Sequence, residues 1–369
     1  MVKISVILPC RNEEKTIGVC IEKIKKALVG KDYEIIVSDS SKDSSAKIAS
    51  KKEVKVIKHD KEGYGAAYLE GFKAVNGDYI IIGDCDNTYD FLEISKFIDE
   101  LDKGFDLVVG QRKKIVNGAM PFLHRYVGNP FLSFILRLFF RAKIKDSQSG
   151  FRAIRKKRLD KLNLSTKGME FASEMIVQAL KNKLKISEIP ITYYPRIGES
   201  KLRSFNDGWK HLRFMLLYSP LYLFLIPGIF LFILGLIIMA RLLFGPITIF
   251  NLTFTDHPFI IGSFLTIVGY QIINLGLFAK VYAITHLNEK NKIVSSLIKY
   301  ITLERAILLG ILLFFIGLII DLIILLEWFN SGFGGLAKIN LAIFGTTIII
   351  MSMQTVFSGF FLSILGIKK

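Results

Sequence analysis

Two carboxylates, Asp84 and Asp86, follow an apolar run from Tyr79 to Ile82 and are separated by a single cysteine. The run has the length and branching of a buried parallel strand, and ligands in open α/β sheets bind beyond the carboxyl ends of such strands. Residues i and i+2 of an extended segment point the same way, so both carboxylates can face one cation while Cys85 points away. Because Mg²⁺ and Mn²⁺ bind carboxylate and phosphate oxygens together, the pattern predicts a metal-diphosphate site. The alternative is a solvated Asp-rich turn that caps the next helix, and Asp-x-Asp alone does not decide between them.

Alternating strand and helix patterns surround this pair. Short apolar runs end in proline or polar residues, and between them apolar residues recur at helical spacing. Such alternation predicts an α/β fold, with a mostly parallel, Rossmann-like sheet and helices on both faces. We expect strands at residues 4–8, 33–37, 54–57, 79–82 and 106–109, an edge strand at 186–194 that Pro190 interrupts, and helices between them.

Two further stretches at strand ends are candidate ligand sites. Asp39 lies in the polar run 38–43 after the second strand, where a ligand and an ordinary N-cap or turn aspartate fit the local sequence equally well. Gly63 and Gly65 open the next helix and leave room for a nucleotide phosphate. They also suit a plain tight turn, because Gly-x-Gly lacks the third glycine of the dinucleotide fingerprint.

Composition divides the 369-residue chain into a polar part and an apolar part. Uncharged runs of about 20 residues are long enough to cross a bilayer as helices. We expect the α/β domain over residues 1–204 and a membrane domain over 220–369, with four transmembrane helices at about 220–243, 258–284, 305–328 and 339–367. One acid, Asp321, lies inside the third span.

Two amphipathic segments are too basic to span. Residues 121–141 combine large apolar side chains with three arginines, and residues 205–219 mix apolar residues with Lys210 and Arg213. We expect a helix pair broken at Pro130 in the first segment and one helix in the second, all lying in the lipid headgroup plane. Both segments could instead be core helices of the α/β domain.

Basic residues set the expected orientation of the chain. The net charge is +17, and lysines and arginines cluster in the second connection between spans and at the C-terminus. By the positive-inside rule the α/β domain and both termini are cytoplasmic, and we expect no signal peptide before the first strand. The expected partner is the bilayer of the cell membrane, and no nucleic acid, since no nucleic-acid-binding module is present. The three cysteines form no Cys-x-x-Cys pair and are expected to be reduced thiols.

Four motifs occur together in the chain, namely Pro9-Cys10-Arg11-Asn12-Glu13, Ser38-Asp39-Ser40-Ser41-x-Asp43, Asp84-Cys85-Asp86 and Gln148-Ser149-Gly150-Phe151-Arg152. In order and approximate spacing they resemble family-2 glycosyltransferases over about residues 1–215. Within that group the chain is similar to the polyprenyl-phosphate hexose synthases, typified by dolichyl-phosphate mannose synthase, which add a short set of C-terminal spans. The resemblance implies a GT-A fold and hexosyltransferase activity.

The resemblance also implies ligands and roles for particular residues. Mg²⁺ or Mn²⁺ would bind at Asp84 and Asp86, and a GDP- or UDP-linked nucleotide-sugar donor would contact Pro9, Arg11, Glu13, Asp39, Asp84, Asp86, Gln111 and Lys201. The acceptor would be a polyprenyl or dolichyl phosphate, and its phosphate would meet Arg112, Arg125, Ser149 and Arg152, because guanidinium groups bind phosphate in a bidentate fork. Surface solvation is the alternative for each arginine. Two departures from the family pattern, at Ser38 and Thr88, leave the base and the sugar open.

Breaking a nucleotide-sugar bond leaves a diphosphate, so the site must neutralise charge on the leaving group. We expect Asp86, through the metal, and Lys201, on the loop 198–201, to do this, with Arg196 or Arg203 helping, although the same loop also suits a charged linker. An acceptor phosphate is already an anion and needs no strong base, and its direct attack would invert the anomeric centre. Asp146 is the nearest candidate for a base or for a group that orients the acceptor.

Two rival functions remain compatible with this sequence. A processive polysaccharide synthase of the same superfamily is disfavoured, because its Gln-x-x-Arg-Trp motif is missing. A lipid-linked sugar flippase, or a non-catalytic anchor, is favoured only by Asp321. A charge inside a span costs about 2.5–3.5 kcal/mol on insertion scales and often marks function, but Asp321 can also reach the interface near Glu327.

We predict that Lys201→Ala lowers the turnover number of hexosyl transfer by about 100-fold, because a charge that meets the developing diphosphate acts mainly in the transition state. The Michaelis constant for the lipid acceptor should stay nearly constant. Steady-state kinetics with donor and lipid varied separately measure both quantities. A mutant with its maximal rate intact and only a raised Michaelis constant for the lipid would identify Lys201 as a membrane-surface lysine.

Overall fold

The computed structural model describes residues 2–198, 204–219, 221–249, 252–286, 302–333 and 338–366. The chain forms two compact units, Met1–Tyr218 and Ser219–Lys369. Helix α8, predicted as a separate interfacial element, belongs to the first unit. The basic residues between 287 and 301 and the two C-terminal lysines, on which the predicted orientation partly depends, lie outside the described residues.

A seven-stranded sheet organises the first unit. Its spatial order is β3-β2-β1-β4-β6-β5-β7, and every neighbouring pair is parallel except those made by β6. The strands are β1 Ile4–Cys10, β2 Tyr33–Asp39, β3 Lys55–Lys58, β4 Tyr79–Ile82, β5 Leu107–Ile115, β6 Arg152–Arg155 and β7 Ile186–Tyr193. The predicted mostly parallel fold is therefore confirmed, with β7 at an edge. Strand β6 was not predicted, because two apolar residues between two arginines give no strand pattern.

Helices cover both faces of this sheet. Alternate strand residues point to opposite faces, so Ile81 packs with α1 and α4, whereas Ile80 packs with α3 and α7. A third apolar cluster joins α5, α7 and α8 through Leu136, Ile176 and Met215. The helices of this unit are α1 Ile17–Ala27, α2 Ser45–Lys51, α3 Tyr64–Phe72, α4 Ile94–Asp102, α5 Asn129–Phe140, α6 Lys156–Leu159, α7 Phe171–Lys181 and α8 Ser204–Leu217.

The amphipathic segment before α5 is helical without a break. A wider, π-helical turn, His124–Gly128, leads directly into α5, and Pro130 lies in the first turn of α5. The predicted helix pair broken at Pro130 is therefore wrong. A proline has no N–H to donate to the preceding turn, and a wider turn accommodates this without ending the helix.

Among its described residues the second unit has four long helices, as predicted. They are α9 Ile226–Leu243, α10 Asp256–His286, α11 Leu303–Asn330 and α12 Ile339–Gly366, and a short hairpin of β8 Ile247–Ile249 and β9 Leu252–Phe254 lies between the first two. The stretches long and apolar enough to span a membrane are Tyr222–Leu243, Asp256–Thr285, Leu303–Asn330 and Ile339–Gly366. Glycines allow close approach between them, since a Cβ on Gly317 would lie 2.7 Å from the Gly345 carbonyl oxygen.

Asp321 is part of such a helix contact. Its carboxylate lies against Gly345, where any Cβ would collide with it, and accepts a hydrogen bond from Thr346 Oγ1 at 3.2 Å. Packing of α11 on α12 thus gives this acid a structural role.

A buried carboxylate fixes the loop between α6 and α7. Glu174 is fully buried and accepts hydrogen bonds from the N–H and hydroxyl groups of both Ser165 and Thr166, at 2.6 to 3.0 Å. The following carbonyls, of Lys167 and Gly168, accept the first free N–H groups of α3. One side chain therefore holds the segment that closes the start of α3.

We predict that Glu174→Gln lowers the free energy of unfolding by about 1–3 kcal/mol, because an amide nitrogen would face donors that now have an acceptor. For a domain of this size the loss corresponds to a melting temperature lower by about 3–10 °C. Thermal unfolding of the purified protein in detergent measures it, with Gln178→Ala on the same helix as the control. Equal melting temperatures for the two variants would contradict the role given to Glu174.

Candidate active site

The carboxyl ends of β1, β2 and β4 lie side by side, because these strands are parallel neighbours. The loops that leave them contact one another. Cys85 Sγ donates to the Pro9 carbonyl at 2.9 Å. Ser41 Oγ accepts from the Asn12 N–H at 2.8 Å and donates to Asp39 at 2.6 Å. The fold thus brings the first three predicted motifs to one edge of the sheet.

Asp84 faces the fourth motif. Tyr68 Oη donates to its carboxylate at 3.5 Å, and a Cβ on Gly150 would lie 2.8 Å from Asp84 Oδ2 and 2.6 Å from Tyr64 Oη. Only glycine therefore fits at position 150. Burial, together with the charge of Asp86, raises the pKa of Asp84 to about 7. The two aspartates are close enough to repel each other and lack full compensation.

Asp86 is held from two sides. Its Oδ1 accepts from the N–H and the hydroxyl of Thr88, at 3.1 and 2.6 Å, and its Oδ2 accepts from Arg196 Nη1 at 2.8 Å. The second nitrogen of the same guanidinium, Nη2, donates to Glu13. Arg196 therefore joins the first motif to the Asp-x-Asp pair. Sequence reasoning placed this arginine only as a helper of Lys201.

The donor atoms at this edge suit a hard divalent cation. Asp84 and Asp86 offer carboxylate oxygens, and burial together with the charge of Asp86 raises the pKa of Asp84. Within the described ranges no group of three or more His, Cys, Asp or Glu side chains could hold a metal by itself. The residues present therefore fit Mg²⁺ or Mn²⁺ only if other oxygens, such as those of a diphosphate, complete the coordination.

Arg112 and Asp146 form a bidentate ion pair. Arg112 Nε and Nη2 each donate to Asp146 at 2.7 Å, and the guanidinium carbon lies 5.3 Å from the centre of the Tyr193 ring. Burial alone would raise the pKa of Asp146, but the charge and hydrogen bonds of Arg112 lower it below its usual value. Such a carboxylate is a poor proton acceptor at neutral pH, so its pairing with Arg112 favours the predicted orienting role of Asp146 over that of a base. Both roles stay predictions.

Arg152 has a structural role. Its side chain is 1% exposed and donates to the carbonyls of Ser147, Ser149 and Ala172 at 2.7 to 2.9 Å. A guanidinium enclosed by three carbonyls cannot reach an acceptor phosphate, so the predicted phosphate contact is wrong. Arg152 instead shapes the loop that places Gly150 beside Asp84.

Ser149 and Arg125, also predicted to contact the acceptor phosphate, differ in their surroundings. Ser149 is fully buried, and its hydroxyl has no hydrogen-bond partner within the described part of the chain. Arg125 lies on the π-helical turn, with its guanidinium carbon 5.2 Å from the centre of the Tyr126 ring. The structure does not bring Arg125 into contact with Asp84 or Asp86.

Three further residues were predicted to contact the nucleotide-sugar donor. Arg11 is exposed and pairs with Glu62 at 3.0 Å. The predicted strand ended before Gln111, but β5 runs on to Ile115, so Gln111 lies within the strand. Lys201 lies outside the described residues, so its predicted role is untested.

The glycines that open α3 serve packing. A Cβ on either Gly63 or Gly65 would collide with the carbonyls of residues 166–167. Gly65 N–H donates to the Gly168 carbonyl at 3.2 Å, and Ala66 N–H donates to the Lys167 carbonyl at 3.1 Å. These groups are not available to a phosphate, so the tight-turn alternative is the correct one.

A chain of buried hydrogen bonds, missed from the sequence, runs behind the fourth motif. Ser133 Oγ on α5 lies 3.1 Å from Ser147 Oγ, to which Gln148 Nε2 donates at 2.9 Å. The same amide donates to Ser173 Oγ at 3.3 Å, which lies 2.9 Å from His211 Nδ1 on α8. Burial lowers the pKa of His211 to about 4, so this imidazole is neutral. The chain ties both amphipathic helices to the Gly150 loop.

Comparison with known proteins gives consistent matches along the chain. Residues 5–162 match Glycosyl transferase family 2, and residues 277–366 match the Glycosyltransferase family 2 C-terminal transmembrane region. The low-salt glycan biosynthesis hexosyltransferase Agl6 of Haloferax volcanii is 38% identical over 98% of this chain and 89% of its own length. A dolichyl-phosphate hexose transferase of the same organism is 31% identical over 56% of this chain and 89% of its own length.

Among solved structures, a mycobacterial protein aligns with a TM-score of 0.51 and 19% identity, over 59% of this chain and 75% of its own, which concerns the fold alone. The family follows from the sequence comparisons. A relative 38% identical over almost the whole chain, with family matches in both units, shows that this chain belongs to glycosyl transferase family 2.

Proposed function

We propose that this glycosyltransferase moves a hexosyl residue from a GDP- or UDP-sugar to a polyprenyl or dolichyl phosphate at the cytoplasmic face of the membrane. The observation that carries the proposal is the packing of Gly150 against Asp84. The loop of the fourth motif, which the resemblance assigns to the acceptor, thus lies against a carboxylate of the pair suited to a donor diphosphate, and this supports transfer between the two. The similarity to a dolichyl-phosphate hexose transferase supports a lipid phosphate as the acceptor.

On the donor side, Asp84 and Asp86 would hold Mg²⁺ or Mn²⁺ together with the diphosphate. Such a cation neutralises charge that develops on the leaving nucleotide. Thr88 keeps Asp86 in place through two hydrogen bonds. Arg196 supplies a permanent positive charge beside Asp86 and Glu13. Its guanidinium could donate hydrogen bonds to the phosphates of the donor once they bind.

On the acceptor side, a lipid phosphate needs no general base, because it is already an anion. The low pKa of Asp146 agrees with this, since that carboxylate is committed to Arg112. Arg112 uses two of its five N–H groups on Asp146 and retains others for a phosphate oxygen. Direct attack by the phosphate oxygen on the anomeric carbon would invert its configuration.

The amphipathic segment would place this site at the bilayer. Its apolar side chains are exposed on the first unit, including Phe122 at 72% and Leu123 at 69%. Arg125 and Arg137 accompany them, as expected of a helix that lies among anionic headgroups. An apolar patch of this kind beside basic residues is typical of a membrane-contacting surface.

We predict that Asp86→Asn lowers the turnover number by at least about 100-fold and weakens Mn²⁺ binding in the presence of a nucleoside diphosphate. The amide keeps the shape of the side chain but removes the charge. Turnover with a panel of UDP- and GDP-sugars and polyprenyl phosphate, and Mn²⁺ titration followed by electron paramagnetic resonance, measure the two effects. Asp60→Asn, at an exposed position, is the control. Full turnover in Asp86→Asn at low metal would remove the metal-diphosphate assignment.

We predict that the fragment 1–218 binds vesicles containing anionic lipid, and that Phe122→Asp with Leu123→Asp reduces binding at least tenfold. Loss of two apolar contacts and addition of two negative charges both oppose docking on such a surface. Vesicle flotation at low and high salt measures binding. Val29→Asp is the matched control, because Val29 is 78% exposed on the turn after α1. If the fragment stays in the soluble fraction at low salt, the proposed membrane-contacting surface is wrong.

A further inference from the structure

A cavity of about 430 Å³ lies between α10 and α12 in the second unit. Pockets that hold small molecules are commonly about 300–1,000 Å³. The lining combines amides, a hydroxyl and large apolar side chains, namely Gln271, Asn274, Leu275, Phe278, Ile350, Met353, Gln354, Phe357, Ser358 and Phe361. Both helices are membrane-spanning by length and composition, so the three amides and the hydroxyl interrupt a mostly apolar lining in an apolar environment. The cavity is open on one side, where Phe357 is 67% exposed.

Within the described part of the chain, the side-chain hydrogen bonds that join α10 to α12 are made by hydroxyls and not by these amides. Ser263 pairs with Thr347 at 2.7 Å, and Tyr270 pairs with Thr355 at 2.6 Å. By contrast, Gln354 Oε1 is buried without a hydrogen-bond partner in the described residues, and Asn274 lines the cavity while only 7% exposed. Leaving a polar group unpaired in a bilayer costs free energy. The unpaired oxygen of Gln354 therefore indicates a polar ligand at this cavity.

The cavity opens in one half of the bundle. Gly276 packs on Phe224 and Leu225, at the start of the first span, and Gly359 packs on Ala306 near the start of the third. The starts of α9 and α11 and the ends of α10 and α12 thus meet at one end. The cavity residues extend from the middle of the spans toward that end.

The lining defines the chemistry of the ligand. Among the described residues its lining contains no lysine, arginine or histidine, so no cationic side chain would balance the charge of a phosphate there. Amides offer both donors and acceptors to hydroxyl groups, and the rings of Phe278 and Phe361, with centroids 4.8 Å apart, offer apolar faces. Leu275, Ile350 and Met353 suit adjoining hydrocarbon. This combination fits an uncharged, hydroxyl-rich group attached to a lipid chain.

We propose that this cavity binds the sugar headgroup of a membrane glycolipid, and, resting on the function proposed above, that its occupant is the hexosyl group of the lipid-linked product. The site would retain product in the bilayer after transfer. It lies apart from the Asp84–Asp86 centre in the sequence and uses none of its residues.

Photolabelling of the full-length protein in lipid nanodiscs tests this. The probe is an alkyl β-hexoside with a diazirine in its chain, and the comparison probe is the same alkyl chain ending in an alcohol. We expect the hexoside to label peptides containing residues 271–278 and 350–361 at least fivefold more than the alcohol. The variant Asn274→Leu with Gln354→Leu should label with both probes equally. Asn340→Leu is the matched control, because Asn340 Oδ1 is also buried without a partner in the described residues but lies outside the cavity.

Several outcomes would overturn the proposal. Equal labelling of wild-type protein by both probes would mean a lipid-accessible groove without sugar recognition, and full hexoside labelling of the double variant would exclude the amides. Crosslinks between two copies across these helices, or a changed oligomer mass in the double variant, would assign the cavity to self-association. If the double variant fails to fold, competition on wild-type protein decides: unlabelled hexoside should displace the probe and an alkyl phosphate should not.

This test is independent of the proposed reaction. Asp86→Asn should label like wild type, because the probe needs no turnover. Absence of any transferase activity would refute the proposed function while leaving the labelling result standing. Absence of selective labelling in an active enzyme would refute only the headgroup site.

Discussion

Two negative charges at the end of one buried strand constrain the whole first unit. Asp84 and Asp86 stand two residues apart, and burial together with mutual repulsion raises the pKa of Asp84 to about 7. The surroundings of the pair limit this repulsion: Thr88 and Arg196 hold Asp86, and Tyr68 donates to Asp84. A cation that binds Asp86 must share its carboxylate with Arg196 or displace it. The site is thus arranged around charge that a metal-bound diphosphate would complete.

The loop around Gly150 shows how a buried charged side chain can fix the conformation of a loop. Arg152 holds three carbonyls and so bends the segment that presents Gly150 to Asp84. Buried guanidinium groups are tolerated when hydrogen bonds satisfy them, as here. Behind the same loop, Gln148 connects through Ser173 to His211 of α8. The position of the amphipathic helices and the shape of the site are therefore physically linked within one unit.

The two units arrange their apolar surfaces in different ways. The first surrounds its sheet with helices on both faces, so its apolar strands are removed from water. The second has four helices whose outer surfaces remain apolar and whose contacts use glycine and hydroxyl residues. In such a bundle the paired hydroxyls, and the hydrogen bond from Thr346 to Asp321, are accounted for by helix association. The buried Gln354 oxygen beside the cavity has no partner among the described residues, and the proposed ligand would supply one.

The sequence by itself determined the α/β alternation, the four spans and the motifs at the ends of β1, β2 and β4. Periodicity and span length are local properties, and parallel strands bring their carboxyl ends together. The tertiary structure decided which residues contact one another. Arg196 meets Glu13 across 183 residues, Arg112 meets Asp146 across 34, and β6 enters the sheet antiparallel despite a weak pattern. Whether an arginine faces a phosphate or a ring of carbonyls depends on which distant backbone surrounds it, and no local spacing encodes that.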